Sequence, residues 1–235
     1  MTGFPPTHPS AISGLRSADP KRRARSREVV ANAYWKPIYK YLRLQYRMEP
    51  AVAEDVVQGF FERTFAGDML ASYEPERARF RTFLRRCLDH YAVDQHRRST
   101  TQARGAGIAP LELAAAESEL TAASPSDPGD VFDREWLRHV MTLAVERLME
   151  RLAKQNKPVH AELFRRFHLT DEPPAYDDVA RELGIKVTDV TNWLHAARRE
   201  LRRVALELLR ELTANEDEFA DEAQAVFGID VRAKP

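Results

Sequence analysis

An apolar stripe near the carboxyl end of the chain constrains its fold more than any other feature. Its members follow one another at alternating steps of four and three residues, at Val190, Leu194, Ala197, Leu201 and Val204. Such steps keep every member on one face of an α-helix, because the helix turns about once every 3.6 residues. Segments upstream repeat this period, and none shows the alternation typical of a half-buried strand. The sequence therefore predicts an all-α fold.

A turn immediately before this helix predicts a helix-turn-helix. Ala180 lies four residues before Gly184, and Val190 lies six residues after it. A small alanine allows two helices to cross closely, the glycine accepts a positive φ at the corner, and the valine fills the crossing point. The outer face of the second helix carries polar and basic groups that suit contacts with duplex DNA. These candidate residues are Thr188, Asp189, Thr191, Asn192, His195, Arg198, Arg199 and Arg202.

A predicted helix that begins at Pro50 has two contrasting faces. Its apolar face consists of Ala53, Val56, Val57, Phe60 and Thr64. Its opposite face is acidic and carries one amide, with Glu54, Asp55, Gln58 and Glu62. Complementary charge favours association, so this face suits docking of a basic protein partner.

The next predicted helix, at about residues 78–98, has a basic side with an aromatic residue beside it. Its candidate residues are Arg79, Arg81, Phe83, Arg86, His90 and Arg97. Arginines along a helix can hold a phosphate backbone, and aromatic rings can stack on unpaired bases. The loop before this helix, residues 66–77, contains Tyr73 and is predicted to hold a base out of the stack.

The pattern along the chain predicts two small helical domains joined by a flexible linker. Residues 1–26 have prolines and a basic cluster but no period, and are predicted to be disordered. The first domain is predicted at 27–98, and an acidic linker rich in small residues at 99–132, with a transient helix around residues 111–120. The second domain is predicted at 133–212, and an acidic tail at 213–235.

Composition narrows the class of protein further. Residues 1–98 hold 18 Lys and Arg against 11 Asp and Glu, whereas 136–210 hold 14 against 11. Two basic blocks therefore alternate with two acidic ones, which favours two anion-facing modules. The single cysteine, Cys87, excludes an internal disulfide framework and is interpreted as a core residue. Without a long apolar run or a signal sequence, the chain is expected to be cytoplasmic, with no membrane insertion.

Three segments together resemble a known family. "AEDVVQGFFERTF" and "RFRTFLRRCLDHYAVDQHRR" are similar to the second conserved region of the extracytoplasmic-function (ECF) sigma factors of bacterial RNA polymerase. "YDDVARELGIKVTDVTNWLHAARRELRR" is similar to their fourth conserved region. The two regions occur in the family's order with a linker between them, and the resemblance covers about residues 30–98 and 135–212.

The resemblance implies a division of roles. Glu54, Asp55 and Gln58, with Glu62 beside them, would dock on bacterial core RNA polymerase. The helix that ends at Arg98, including Asp94, would contact and melt the −10 promoter element. The outer face of the helix-turn-helix would read the −35 element, and promoter DNA is therefore the second expected partner. An anti-sigma or other regulatory protein is a further partner that the family allows, whereas no enzymatic activity, cofactor or metal is expected.

Several positions depart from the family pattern. Phe83 stands where the family often has tryptophan, and His90 stands where it usually has asparagine. Trp193 and Ala196 occupy positions where many members have arginine, so the promoter preference is expected to differ from the common one. The acidic tail is interpreted as a solubility element. Folding back on the fourth region, or binding a regulator, are the other interpretations of the tail.

Two other classes of protein remain as alternatives. A helix-turn-helix transcription regulator that is not a polymerase subunit would keep the second domain, and its acidic face at residues 54–58 would have no role. An enzyme would need a site such as Asp89, His90, Asp94 and His96. On a helix only His90 and Asp94 share a face at a spacing of four, so these residues do not predict a metal site.

Overall fold

The computed structural model describes residues 10–66, 69–105 and 128–232, with side chains at 10–66, 69–98 and 129–232. These residues form helices and connecting turns, and no strand occurs among them. The α-helices are α1 (Ala11–Gly14), α2 (Pro20–Gln45), α3 (Pro50–Ala66), α4 (Phe80–Gly105), α5 (Pro128–Lys154), α6 (Pro158–His168), α7 (Tyr176–Leu183), α8 (Val187–Glu211) and α9 (Glu216–Phe227). A short 3-10 helix, Leu70–Ser72, lies between α3 and α4. The predicted all-α class is confirmed.

The helix predicted to begin at Pro50 does so in the structure. A second proline, Pro37, lies well inside α2 rather than at the first turn of a helix, and its side chain is buried there.

The predicted disorder of residues 1–26 is wrong for residues 10–26. The Ser10 hydroxyl accepts a hydrogen bond from the Ser13 amide and caps α1. Asp19 caps α2 by accepting from the Lys21 amide at 3.0 Å, and Pro20 occupies the first helical position. An acidic cap followed by proline is a strong start signal for a helix. The amphipathic period is weak here, which is why the start near residue 27 was predicted instead.

The acidic segment after residue 212 is an ordered helix rather than a tail. Asn215 accepts a hydrogen bond from the Glu218 amide at 2.8 Å and begins α9. Gly228 ends this helix in the left-handed conformation, with φ of 64°. Phe219 and Ala223 are buried, with exposed fractions of 3% and 0%. The interpretation of this segment as a solubility element is therefore corrected, because α9 packs into the fold.

Both ends of the predicted linker, residues 99–132, are helical in the structure, because α4 continues to Gly105 and α5 begins at Pro128. The rest of the predicted linker, residues 106–127, lies outside the described residues, as does the transient helix predicted at 111–120.

The described residues divide into two compact units. The first unit lies within Met1–His139 and Leu209–Pro235, so it combines the amino-terminal part of the chain with α9. Its core is aromatic. The Tyr34 ring meets the Phe80 ring edge to face at 5.7 Å and stacks on the Trp136 ring at 6.2 Å. All three side chains are essentially unexposed.

The second unit, Val140–Leu208, contains the helix-turn-helix. Val179 and Ala180 of α7 pack with Val190 and Leu194 of α8, as the spacing predicted. Leu163 and Phe167 of α6 complete this cluster. A neighbouring cluster joins α5, α6 and α8 through Leu148, Leu152, Ala161, Phe164 and Ala197. The bounds of these two units differ from those of the two predicted domains. The predicted domain limits at residues 98 and 133 therefore stay a prediction.

Within the part of the chain that the structure describes, no helix combines the length and apolarity that crossing a bilayer requires.

Gly184 is the corner that the helix-turn-helix requires, with φ of 65°. A Cβ at this position would meet no atom within 4 Å, so backbone strain alone opposes a larger residue. We expect Gly184→Ala to lower the free energy of unfolding by about 1–2 kcal/mol. Gly184→Asn should cost less, because asparagine tolerates this conformation. Urea denaturation of both variants measures the difference, and equal losses would show that φ is not the cause.

Candidate partner and nucleic-acid interfaces

The acidic face predicted on α3 is exposed to solvent. Glu54, Asp55, Gln58 and Glu62 are all exposed, while Val56, Val57 and Phe60 on the other side of the helix are buried. The Gln58 side-chain amide donates a hydrogen bond to the Glu62 carboxylate at 3.0 Å. The face therefore presents carboxylates in a partly fixed arrangement.

An aromatic groove lies beside this acidic face, between α2 and α3. It has a volume of about 410 Å³, and Glu54, Gln58 and Glu62 contribute to its lining. The apolar part of the lining is formed by Ala31, Trp35, Phe61 and Phe65. Trp35 is 41% exposed, and its ring stacks on Tyr39 at 5.6 Å. The sequence pattern did not single out Trp35, although an aromatic residue between charged and polar neighbours on a predicted surface was an available signal.

Helix α4 presents part of the predicted basic side to solvent. The spacings between Arg86, His90, Asp94 and Arg97 are four, four and three residues, so these side chains follow one side of the helix. All four are exposed, and Arg98 is exposed at the end of the described side chains. The arrangement offers guanidinium groups to a phosphate backbone, with an imidazole between them.

Arg81 does not belong to this exposed side, and its predicted role in contacting DNA is corrected. It is 7% exposed, and its Nε lies 2.7 Å from Glu222 Oε1. Its Nη1 lies 3.1 Å from Asp133 Oδ1, and its guanidinium covers the Trp136 ring at 5.0 Å. Arg79 is partly exposed, with its Nη1 3.8 Å from Glu222 Oε2. Arg81 is thus a core residue of the first unit.

The aromatic residues expected to hold an unpaired base are packed inside the first unit. Tyr73 is 5% exposed, and its hydroxyl lies 3.1 Å from Glu218 Oε2. Its ring centroid lies 5.0 Å from that of Phe83, which is partly buried. Tyr73 is therefore unavailable for stacking on a base in this structure, and the predicted pocket is not formed by its ring.

The carboxylate of Asp89, in the middle of α4, is occupied by hydrogen bonds rather than placed in a metal site. Its carboxylate accepts hydrogen bonds from the Tyr41 hydroxyl at 2.9 Å and the Tyr46 hydroxyl at 2.8 Å. Arg85 donates to the same carboxylate at 3.0 Å. Among the described residues, no group of three or more potential ligands could hold a metal ion. Cys87 is partly buried, and burial raises the pKa of its thiol.

Most of the predicted residues on the outer face of α8 are exposed, and two of them form hydrogen bonds at the start of the helix. Thr188, Asn192, His195, Arg198, Arg199 and Arg202 are exposed. Asp189 instead accepts a hydrogen bond from the Lys186 amide at 3.3 Å, and the Thr191 hydroxyl donates to the Val187 carbonyl at 3.1 Å. Both of these residues are partly buried and stabilise the first turn of α8. The exposed set keeps the amide and guanidinium groups that suit base edges.

Two histidines flank the exposed side of α8. Arg198 Nε donates to His168 Nε2 at 3.0 Å, which requires the neutral imidazole. Burial, together with the charge of Arg198, lowers the pKa of His168. The His160 ring stacks on Trp193 at 4.7 Å, and burial lowers the pKa of His160 as well. Trp193 is therefore held against α6 rather than extended into solvent.

The chain was compared with protein-family models, with curated proteins and with solved structures, and no match was found in any of the three.

The burial of Arg81 has a measurable consequence. Arg81→Ala would leave buried Glu222 with only the more distant guanidinium of Arg79, at 3.8 Å, so we expect the free energy of unfolding to fall by about 3–5 kcal/mol. Arg86→Ala, an exposed change on the same helix, should stay within about 0.5 kcal/mol of the original chain. Urea denaturation followed by circular dichroism compares the two. Similar values for both variants would contradict a core role for Arg81.

Proposed function

We propose that the protein is a promoter-specificity subunit of bacterial RNA polymerase, similar to the ECF sigma factors. In this proposal the first unit binds core polymerase and the −10 element, and the helix-turn-helix binds the −35 element. The chain acts in the cytoplasm, where polymerase and promoter DNA occur. Its function is binding and positioning rather than catalysis.

The geometry of the helix-turn-helix carries the proposal. Gly184 adopts the left-handed conformation between α7 and α8, and Val190 and Leu194 on the inner face of α8 are buried. The opposite side of α8 exposes Asn192 and Arg199. A helix whose inner face is anchored and whose outer face carries amide and guanidinium groups can enter the major groove and contact base edges.

The surfaces of the first unit support an association with polymerase. The exposed carboxylates of α3 lie beside a groove with an apolar lining, and Trp35 is its exposed aromatic member. Aromatic side chains surrounded by charge are typical of protein interfaces, where they supply much of the binding energy. A basic partner surface with an apolar anchor residue would be complementary to this region.

The exposed side of α4 supports a contact with promoter DNA by the same unit. Arg86 and His90 lie one helical turn apart, and Arg97 and Arg98 extend the basic surface. Two modest DNA-binding surfaces on one polymerase-bound chain act together, because the first contact raises the effective concentration of the second. Weak binding of the isolated chain to DNA is therefore consistent with the proposal.

Polymerase binding is the decisive test. We expect the chain to co-elute with bacterial core RNA polymerase, and Asp55→Ala/Gln58→Ala to weaken this binding by about 2 kcal/mol, or roughly 30-fold. Asp171→Ala/Glu172→Ala changes two exposed residues of the second unit and should leave the affinity unchanged. Size-exclusion chromatography and a fluorescence titration give the two readouts.

The outcome separates the proposal from its main alternative. A folded chain that does not bind core polymerase would overturn the proposal. The helix-turn-helix would then indicate a transcription regulator that is not a polymerase subunit. Equal losses in both double variants would show that the acidic face of α3 is not the docking surface.

The recognition role of α8 is tested separately with duplex DNA. A duplex selected from a random pool by the polymerase-bound chain serves as the probe. We expect Asn192→Ala/Arg199→Ala to lower the affinity for this duplex at least about tenfold, since each base contact contributes about 1–3 kcal/mol. Arg203→Ala is the control, because its guanidinium is already bound to Glu200 at 3.1 Å. A larger effect of Arg203→Ala would contradict the assignment.

A further inference from the structure

A basic surface lies at the start of α2. It consists of three exposed cations, Lys21, Arg22 and Arg25, in the first two turns of the helix, directly after Pro20. A helix turns by about 100° per residue, so these three side chains share about 100° of its circumference. The basic surface of α2 belongs to neither of the two DNA-binding surfaces of the proposed function.

The neighbouring arginines are held by the protein itself. Arg16 Nε donates to the Leu70 carbonyl at 2.9 Å, and Arg27 Nη2 donates to the Phe65 carbonyl at 2.5 Å. Arg23 likewise donates to a backbone carbonyl, at 2.7 Å. These arginines have structural partners, which distinguishes them from the three cations of the basic surface.

The cations of the basic surface lack such partners. Among the described residues, none of the three pairs with a carboxylate. Arg22 Nη2 has one long contact, with Ser13 Oγ at 3.5 Å. The nearest carboxylate along the chain, that of Asp19, already accepts from the Lys21 amide as the cap of α2. The positive charge of the surface is therefore uncompensated by neighbouring acidic groups.

This charge is unfavourable for the helix itself. The amino-terminal end of a helix carries partial positive charge, so acidic side chains stabilise its first turn and basic ones destabilise it. Helices α5, α7, α8 and α9 each have at least one acidic residue there. The first turn of α2 has none and holds Lys21 and Arg22 instead. Lys21 and Arg25 also repel each other, because they lie four residues apart.

The surroundings of the basic surface indicate which class of ligand it suits. A local cost that the fold does not offset is typical of functional surfaces. Between residues 10 and 34, no large apolar side chain is exposed. Protein interfaces have an apolar or aromatic core, and membrane-binding helices insert an apolar face. The apolar face of α2, with Val30 and Tyr34, is buried in the first unit instead. The surface therefore suits a ligand that is bound by charge alone.

The charge density of the surface matches that of a nucleic-acid duplex. Lys21 and Arg25 lie about 6 Å apart along the helix axis, since each residue rises about 1.5 Å. A duplex carries one phosphate charge for about every 1.7 Å, and so about three or four over the same length. We propose that the basic surface of α2 binds the phosphate backbone of duplex DNA without reading its sequence.

The inference adds a third DNA contact to the proposed function. Its choice of DNA over RNA rests on that function, in which the helix-turn-helix binds duplex DNA. Phosphate contacts fix the position of a protein on a duplex but carry no sequence information. Arginine can donate to two phosphate oxygens at once, whereas lysine acts as a point charge. The basic surface therefore strengthens binding to any duplex, and its contribution falls as the salt concentration rises.

The salt dependence of binding tests the assignment. The probe is a fluorescent DNA duplex of random sequence, titrated with the isolated full chain at about 50 to 200 mM salt. Each phosphate contact contributes about 0.9 to the slope of log affinity against log salt concentration. We expect Lys21→Gln/Arg22→Gln/Arg25→Gln to make this slope shallower by about 2–3, and to weaken binding at the lowest salt at least about tenfold.

A matched variant controls for net charge. Lys36→Gln/Arg47→Gln/Arg134→Gln removes the same charge from three other exposed positions of the first unit. It should leave the salt slope nearly unchanged, because these three side chains lie outside the basic surface.

Thermal unfolding gives a second readout that does not depend on DNA. Loss of the three cations relieves their repulsion with one another and with the end of the helix. The triple variant of the basic surface should therefore unfold about 2–4 °C above the original chain. A lower unfolding temperature would show that these cations stabilise α2, and would contradict the argument from charge.

Several results would overturn the inference. These are an unchanged salt slope in the triple variant of the basic surface, an equal change in the control variant, and an original chain that does not bind the duplex at about 50 mM salt. A triple variant that loses affinity for a polyglutamate peptide but not for DNA would assign the surface to an acidic protein. Tighter binding of an RNA duplex of the same sequence would assign it to RNA.

Failure of the proposed function would look different. A chain that does not bind core polymerase, but whose salt slope still depends on the basic surface of α2, would overturn the polymerase proposal and leave the phosphate contact in place.

Discussion

Buried charges on α9 are the constraint on which the first unit depends. Glu222 and Arg81 are 2% and 7% exposed, and their side chains meet at 2.7 Å. Burial raises the pKa of the Glu222 carboxyl, and the guanidinium of Arg81 opposes this rise. Either group alone would be costly in the core, so each requires the other. This pair joins the end of the chain to the start of α4, and the first unit is consequently discontinuous in sequence.

The buried charged side chains stabilise the first unit, whereas the exposed charged side chains belong to the proposed function. Asp89 and Glu218 accept several hydrogen bonds inside the first unit, and Glu222 accepts one from Arg81. These contacts hold the helices of the unit and the loop before α4. The carboxylates of α3 and the guanidiniums along α4 remain at the surface. In the proposed function, the exposed carboxylates would contact protein and the exposed guanidiniums would contact DNA. The same residue types are thus buried in one place and exposed in another, and burial distinguishes the two sets.

The sequence carried enough information for most helices and for part of the candidate site. Apolar periodicity predicted α3, α7 and α8, and the exposed acidic and polar faces followed from the same period. Helix α1, the start of α2 and helix α9 were missed because their apolar pattern is weak. The caps of α2 and α9 were nevertheless legible, since Asp19 precedes Pro20, and Asn215 precedes Glu218 by three residues. Arg81 was also misassigned, although it precedes Leu84 by three residues and thus lies on the apolar stripe of α4.

What the sequence determined by itself is the local structure: which segments are helical, where Gly184 turns the chain, and which face of each helix is apolar. These properties depend on residues three or four positions apart in the chain, so the spacing of apolar residues in the sequence predicts them directly. The tertiary structure alone decided that Tyr73 is a core residue, that Arg81 pairs with Glu222, and that Glu218 bonds to both Tyr73 and Phe80. Such contacts join residues about 140 positions apart, as in the hydrogen bond from the Phe80 amide to Glu218. No local pattern encodes them, because they arise only when distant segments pack together.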